Sequence, residues 1–170
     1  SDIIIGRSSF GNLFVTFHDK NGTLKWVRDG GKKGVFSPQG TGIETFKNEN
    51  AFLVGDYNGE LIFEKDTLPD FGGTDIFLIK VDSTGKLLFS FGTGSRTNGV
   101  DNDEGSGIGV DSEGNPYITG YFWDTTSFNP NQILSNGAQD IFVTKFNDLR
   151  IYQDTIPDTT LCAGQSLQVP

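Results

Sequence analysis

The chain has no methionine, one histidine (His18) and one cysteine (Cys162). Without a His/Cys cluster it has no soft-metal ligand set, and a lone cysteine does not define a redox compartment. Basic residues are scarce: 13 Lys and Arg stand against 22 Asp and Glu, a net charge of −9. The tightest basic grouping is the pair Lys32–Lys33. Nucleic-acid binding needs a cationic stripe, so that class is excluded, and anionic membrane surfaces are disfavoured on the same ground. No apolar run approaches the ~20 residues of a membrane span, so membrane insertion is not expected. Nothing at the start resembles a signal peptide, because Ser1–Asp2 leads straight into the strand-like Ile3-Ile4-Ile5. Any export signal is expected outside this stretch.

What the chain has in quantity is phenylalanine, 15 residues, and glycine, 23 of 170. The first predicts a rigid aromatic core. The second, placed between short apolar runs, predicts tight turns joining short strands. No window carries helical periodicity.

The strongest signal is internal repetition. Asp75-Ile76-Phe77-Leu78-Ile79-Lys80 returns as Asp140-Ile141-Phe142-Val143-Thr144-Lys145, a shift of 65. The same shift, without gaps, carries Gly40, Gly42 and Ile43 onto Gly105, Gly107 and Ile108, and Gly55 and Phe63 onto Gly120 and Phe128. A fainter copy precedes them: Leu13-Phe14-Val15 matches Ile76-Phe77-Leu78 at a shift of 63. The reading is an end of one unit in residues 1–12, a first full repeat in 13–74 and a second in 75–139. Residues 140–155 then hold the first strand of a further unit and a linker.

Each unit reads as four short strands, in the second unit about Ile76–Val81, Leu87–Gly92, Gly107–Val110 and Pro116–Phe122. The turns Asp19-Lys20-Asn21-Gly22, Asp82-Ser83-Thr84-Gly85 and Asp111-Ser112-Glu113-Gly114 place Asp first, to bond the turn backbone, and Gly fourth, for positive φ. In the first unit Asn50 takes the place of that glycine. The expected class is all-β, with antiparallel four-stranded blades of a β-propeller in a partial array, and a β-sandwich or other repeat-built β assembly as the alternative. A unit of 65 exceeds the ~40–50 residues of common blades. The excess is assigned to loops at Gly92–Gly105 and Trp123–Gly137.

Gly72-Gly73-Thr74-Asp75-Ile76-Phe77-Leu78-Ile79-Lys80-Val81-Asp82 and Asp111-Ser112-Glu113-Gly114-Asn115-Pro116-Tyr117-Ile118-Thr119-Gly120 resemble the bacterial SBBP family of β-propeller repeats. The resemblance covers roughly residues 40–147. The preceding unit departs from it, with Asn12 for the Asp, Phe17 for the Lys and Phe46 for the Asp of the turn. It implies a secreted or cell-surface multidomain protein, often of Bacteroidetes, with a scaffold or adhesive role and no catalytic residues. Residues 156–170, with Asp158 to Leu167 around Cys162, look like the opening strand of an immunoglobulin-like module, Ile156-Pro157 being the linker. The partners so implied are other domains of the same polypeptide, or protein and glycan surface ligands.

Three places invite a site. Tyr121, Trp123 and Asp124 gather aromatics and an acid at a strand end, chemistry that stacks on a sugar ring; inter-blade packing is the competing explanation. Asp101, Asp103 and Glu104 supply acids in a Gly-flanked loop, suited to Ca²⁺ and its six to eight oxygens; a solvated acidic turn is the competing explanation, and no cofactor is otherwise expected. Lys80 and Lys145 recur inside apolar strands, and an ion pair with an Asp, the stem lying on Phe, accounts for them without a ligand. His18 fills the position of Val81 and reads as a strand residue. No nucleophile elbow or nucleotide loop is present, so no enzyme is expected. Two units and two partial ones cannot close a ring. The terminal faces must be covered by more of a longer protein, which is the expectation, by other copies, or by a compact non-propeller assembly.

Overall fold

The computed structural model describes residues 2–7, 12–31, 38–47, 50–95, 102–128 and 130–147. Cys162 and the immunoglobulin-like segment lie outside the described residues, as does Asp101. The described chain is all-β: β1 (Asp2–Arg7), β2 (Leu13–His18), β3 (Leu24–Gly31), β4 (Gln39–Phe46), β5 (Asn50–Asn58), β6 (Leu61–Phe63), β7 (Asp66–Leu68), β8 (Thr74–Asp82), β9 (Leu87–Thr93), β10 (Glu104–Val110), β11 (Pro116–Phe128) and β12 (Asn131–Lys145). They form three antiparallel sheets: a first of order β1-β2-β3-β6-β7, a middle of order β4-β5-β8-β9 and a third of order β10-β11-β12. Strand positions match the expected ones closely. Among the described residues, four strands per sheet holds only for the middle sheet.

The repeat extends from sequence into pairing register. Gly55 faces Phe77 across β5 and β8, and Gly120 faces Phe142 across β11 and β12. Gly6 faces Phe14 in the first sheet. The irregularity between Gly40 and Gly42 returns between Gly105 and Gly107, and the one at Phe17/His18 returns at Lys80/Val81. A one-residue slip would turn every apolar side chain to the wrong face, so a shared register means a shared set of faces. The glycine has a local cause. A Cβ on Gly55 would fall onto the carbonyl oxygen of Gln39 and within 2.8 Å of the Phe77 ring, and one on Gly120 would meet Glu104 and Phe142 in the same way. The ring covers a backbone that only glycine leaves bare.

The sheets stack face to face. One apolar cluster joins Leu13, Val15, Leu61 and Phe63 to Leu53, Tyr57, Phe77, Ile79 and Val81, between first and middle sheets. A second joins Phe52, Val54, Ile76 and Leu78 to Ile118, Phe122, Phe128 and Phe142, between middle and third. The middle sheet therefore buries both faces, which is why β8 is buried without a break from Asp75 to Val81 and carries the apolar run Ile76-Phe77-Leu78-Ile79. Phe77 and Phe142 are both buried, as their repetition predicts.

The sheets straddle the repeat boundaries drawn from sequence: β8 and β9 complete the middle sheet, while β10 and β11 begin the third. The segment Trp123–Gly137, expected as a loop, is mostly strand, because β11 runs on to Phe128 and β12 starts at Asn131. Its counterpart 65 residues earlier is the hairpin β6–β7, which crosses to pair with β3 of the preceding sheet. In the third sheet the same crossing is made by the Thr93 hydroxyl, which donates to the Ser127 carbonyl at 2.6 Å. Each excess of sequence thus clasps a sheet to its predecessor. The middle turn 82–85 is clasped too: Trp26 Nε1 donates to Ser83 O at 2.9 Å and Arg28 Nε to Gly85 O at 2.9 Å.

The three Asp-first turns form as expected. Asp19, Asp82 and Asp111 each accept backbone N–H groups two and four residues on, and Gly22, Gly85 and Gly114 take φ of 79, 80 and 90°. The fourth turn differs. Asn50 has joined β5, and Lys47 carries the positive φ of 51° instead.

Candidate functional site

The recurrent aspartates at the heads of β8 and within β12 hold backbone. Asp75 Oδ2 accepts from the Phe71 N–H at 2.9 Å, and Asp140 Oδ2 accepts from the Asn136 N–H at 2.6 Å. Between donor and acceptor lie Gly72, Gly73 and Gly137, all at positive φ. The motif Gly-x-x-Asp is thus a loop closed by its own carboxylate. Asp75 is fully buried, with Oδ1 lacking a hydrogen-bond partner and lying against Gly94. Burial pushes its pKa up to about 8; the Phe71 N–H opposes the rise, and Asp70 and Asp103 add to it.

Asp103 and Glu104, weighed with Asp101 as Ca²⁺ ligands against a solvated acidic turn, point to different partners. Asp103 is fully buried, where its carboxylate accepts from the Ser95 N–H, from the Ser95 hydroxyl at 2.7 Å and from the Trp123 N–H at 2.7 Å. Its own N–H donates to the Thr74 carbonyl at 2.8 Å. One residue therefore ties together the ends of β8 and β9 and the middle of β11, its main-chain N–H on β8 and its carboxylate on the other two. Glu104 accepts from the Tyr121 hydroxyl. This bond leads the causes that push the Tyr121 pKa up to about 12, ahead of burial. Among the described residues no group of three His, Cys, Asp or Glu side chains is placed to hold a metal ion.

Tyr121 and Trp123 lie on the face of the third sheet that points away from the middle sheet, while Phe122 between them packs inward. Asp124 sits at the irregularity of β11 with φ 46°. It lines a cleft of about 630 Å³ between the end of β9 and the β11 extension, together with Phe71, Phe91, Thr93, Thr126 and Gln132. The structure thus separates Asp124 from the two aromatics it follows in sequence. The cleft's aromatic members come from elsewhere. Sequence reasoning missed the cleft because its walls belong to two sheets. The one hint was Thr125-Thr126, a β-branched pair inside a presumed loop.

Lys145 Nζ lies 2.9 Å from Asp111 Oδ2 and over the Tyr117 ring at 5.1 Å; Lys80 lies over the Phe52 ring at the same distance. The hydrogen bond with Lys145 is the first cause holding the Asp111 carboxyl below the usual range. Both lysines are thus held in the fold by repeat-related contacts. His18 sits in β2, with Nδ1 buried and unpartnered. Compared with known proteins, the chain matches no family model and no curated protein.

Proposed function

We propose that this chain is a non-catalytic segment of a secreted or cell-surface repeat protein, its sheets the blades of a propeller-type array that acts as scaffold or adhesive surface. One observation carries the reading: what recurs at the shift of 65 is architecture. The Gly–Phe crossings, the loop-closing Asp75 and Asp140, and the lysines seated on Phe52 and Tyr117 all return in place. The residues suited to contacting a ligand do not return. Asp56 and Asn58 stand where Tyr121 and Trp123 would be, and Gly59 where Asp124 would be. A surface built this way keeps its frame constant and varies its exposed positions. Export and a surface location rest on the repeat resemblance and on the acidic composition without a nucleic-acid footprint.

The second reading is a glycan-binding module. The cleft favours it, since Phe71 and Phe91 offer apolar rings beside the hydroxyls of Thr93, Thr125 and Ser127 and the Asp124 carboxylate. A glycan array on the folded chain separates the two. The scaffold reading predicts no saturable signal. A signal abolished by Asp124→Asn, a substitution that tolerates the positive φ there, would replace it with the glycan reading.

A further inference from the structure

The two outward faces of the stack are related by the repeat. In each sheet the second strand of the shared Gly–Phe crossing, β2, β8 or β12, sends alternate residues toward the sheet that follows. Leu13 and Val15 of β2 do so, and are fully buried against the middle sheet. Ile76 and Leu78 of β8 do so, and are fully buried against the third. Ile141 and Val143 of β12 hold the same positions and are 82% and 72% exposed. Tyr117, the counterpart of fully packed Phe52, is 40% exposed beside them. The opposite end of the stack shows the reverse. Phe77 and Phe142 point toward the preceding sheet and are buried there, whereas among the described residues no such sheet lies beyond Phe14. Across β1, β2 and β3 on that face, Ile4 and Val27 flank Thr16 and are 47% and 46% exposed.

Among the described residues one interface therefore occurs twice, and each of its halves stands open once. We infer that a second copy of this chain seats the outer face of its first sheet on the outer face of the third. The contact repeats the one between middle and third sheets and buries Ile141, Val143 and Tyr117 as Ile76, Leu78 and Phe52 are buried. The continuity with two filled interfaces of the same register names the occupant: a sheet bearing Phe14 at the Phe77 position. The contact is heterologous, so it propagates to a ring or a filament rather than stopping at a symmetric pair. This inference rests on the repeat geometry and not on the scaffold reading, which a glycan array tests separately.

The experiment is light scattering on the whole chain over a range of concentrations, with two variants. Ile141→Lys blocks the third-sheet face and Val27→Lys the first-sheet face; both sites are already exposed, so both variants fold. The wild-type mass rises above 18.5 kDa with concentration, and each variant alone stays monomeric. An equimolar mixture of the two forms a 1:1 dimer and nothing larger, because each supplies the face the other lacks. A wild-type chain that stays monomeric at all concentrations overturns the inference. So does association that persists in the single variants, or a mixture that fails to pair.

Discussion

Asp75 and Asp140 close the same loop with the same bond, yet their surroundings differ. Asp140 is partly exposed in the outermost sheet, while Asp75 is sealed beneath Gly94 with one oxygen unpartnered. A charged carboxylate is costly there, so the folded chain holds a proton that the unfolded chain gives up. With the folded pKa near 8 and the ordinary value near 3.8, this contribution to stability is fully present below about pH 4. It is lost as pH rises toward 8. Asp75→Asn keeps the acceptor for the Phe71 N–H and cannot titrate. Its melting temperature should therefore vary less than that of the wild type between pH 4 and 8, by calorimetry across that range. Asp19 and Asp111 act in the opposite sense at the acid end, where Lys25 and Lys145, with backbone donors, hold their carboxyls low. The recurrence of Asp75 at Asp140 was legible in the sequence. The loop-closing bond of Asp75 and its burial were not, because the first depends on how the chain at Phe71 folds back and the second on which neighbouring sheet covers it.

At the scale of elements, the recurrent clasp is the segment that leaves the second strand of a sheet and crosses to the sheet before. It takes the form of β6–β7 in one case and of the β11–β12 extension in the other. Asp103 is the polar counterpart of that clasp: its buried carboxylate ties the end of β9 to β11, while its main-chain N–H holds the start of β8. Asp103→Asn replaces an acceptor of several donors with an amide that must turn a donor toward one of them. The expected loss is about 1.5–3 kcal/mol, since hydrogen bonds to a charged group are the stronger kind. Denaturant titration measures it, and the loss should be the same with and without chelator. A chelator-dependent melting temperature in the wild type would instead restore a Ca²⁺ role to this loop. The three Asp-first turns were legible to the residue because Asp and Gly carry their mechanism locally; the fourth, without them, was not. The hairpins were not, since Thr-Thr-Ser and Asn-Gln-Ile become strand only when an edge waits to pair with them.

For the whole molecule, the central claim is a repeat carried at one register through stacked antiparallel sheets. The sequence shift of 65 made the class and the strands legible, but said nothing of where one sheet ends. That depends on whether β8 pairs backward with β5 or forward with β10, a choice made by tertiary packing. Nuclear Overhauser measurements on the isotope-labelled chain test it most directly. The shared register predicts contacts from the Phe77 ring to the Hα protons of Gly55 and from the Phe142 ring to those of Gly120, both glycines shifted upfield by the ring they lie beneath. Glycine Hα signals at ordinary positions, without contact to either ring, would contradict it.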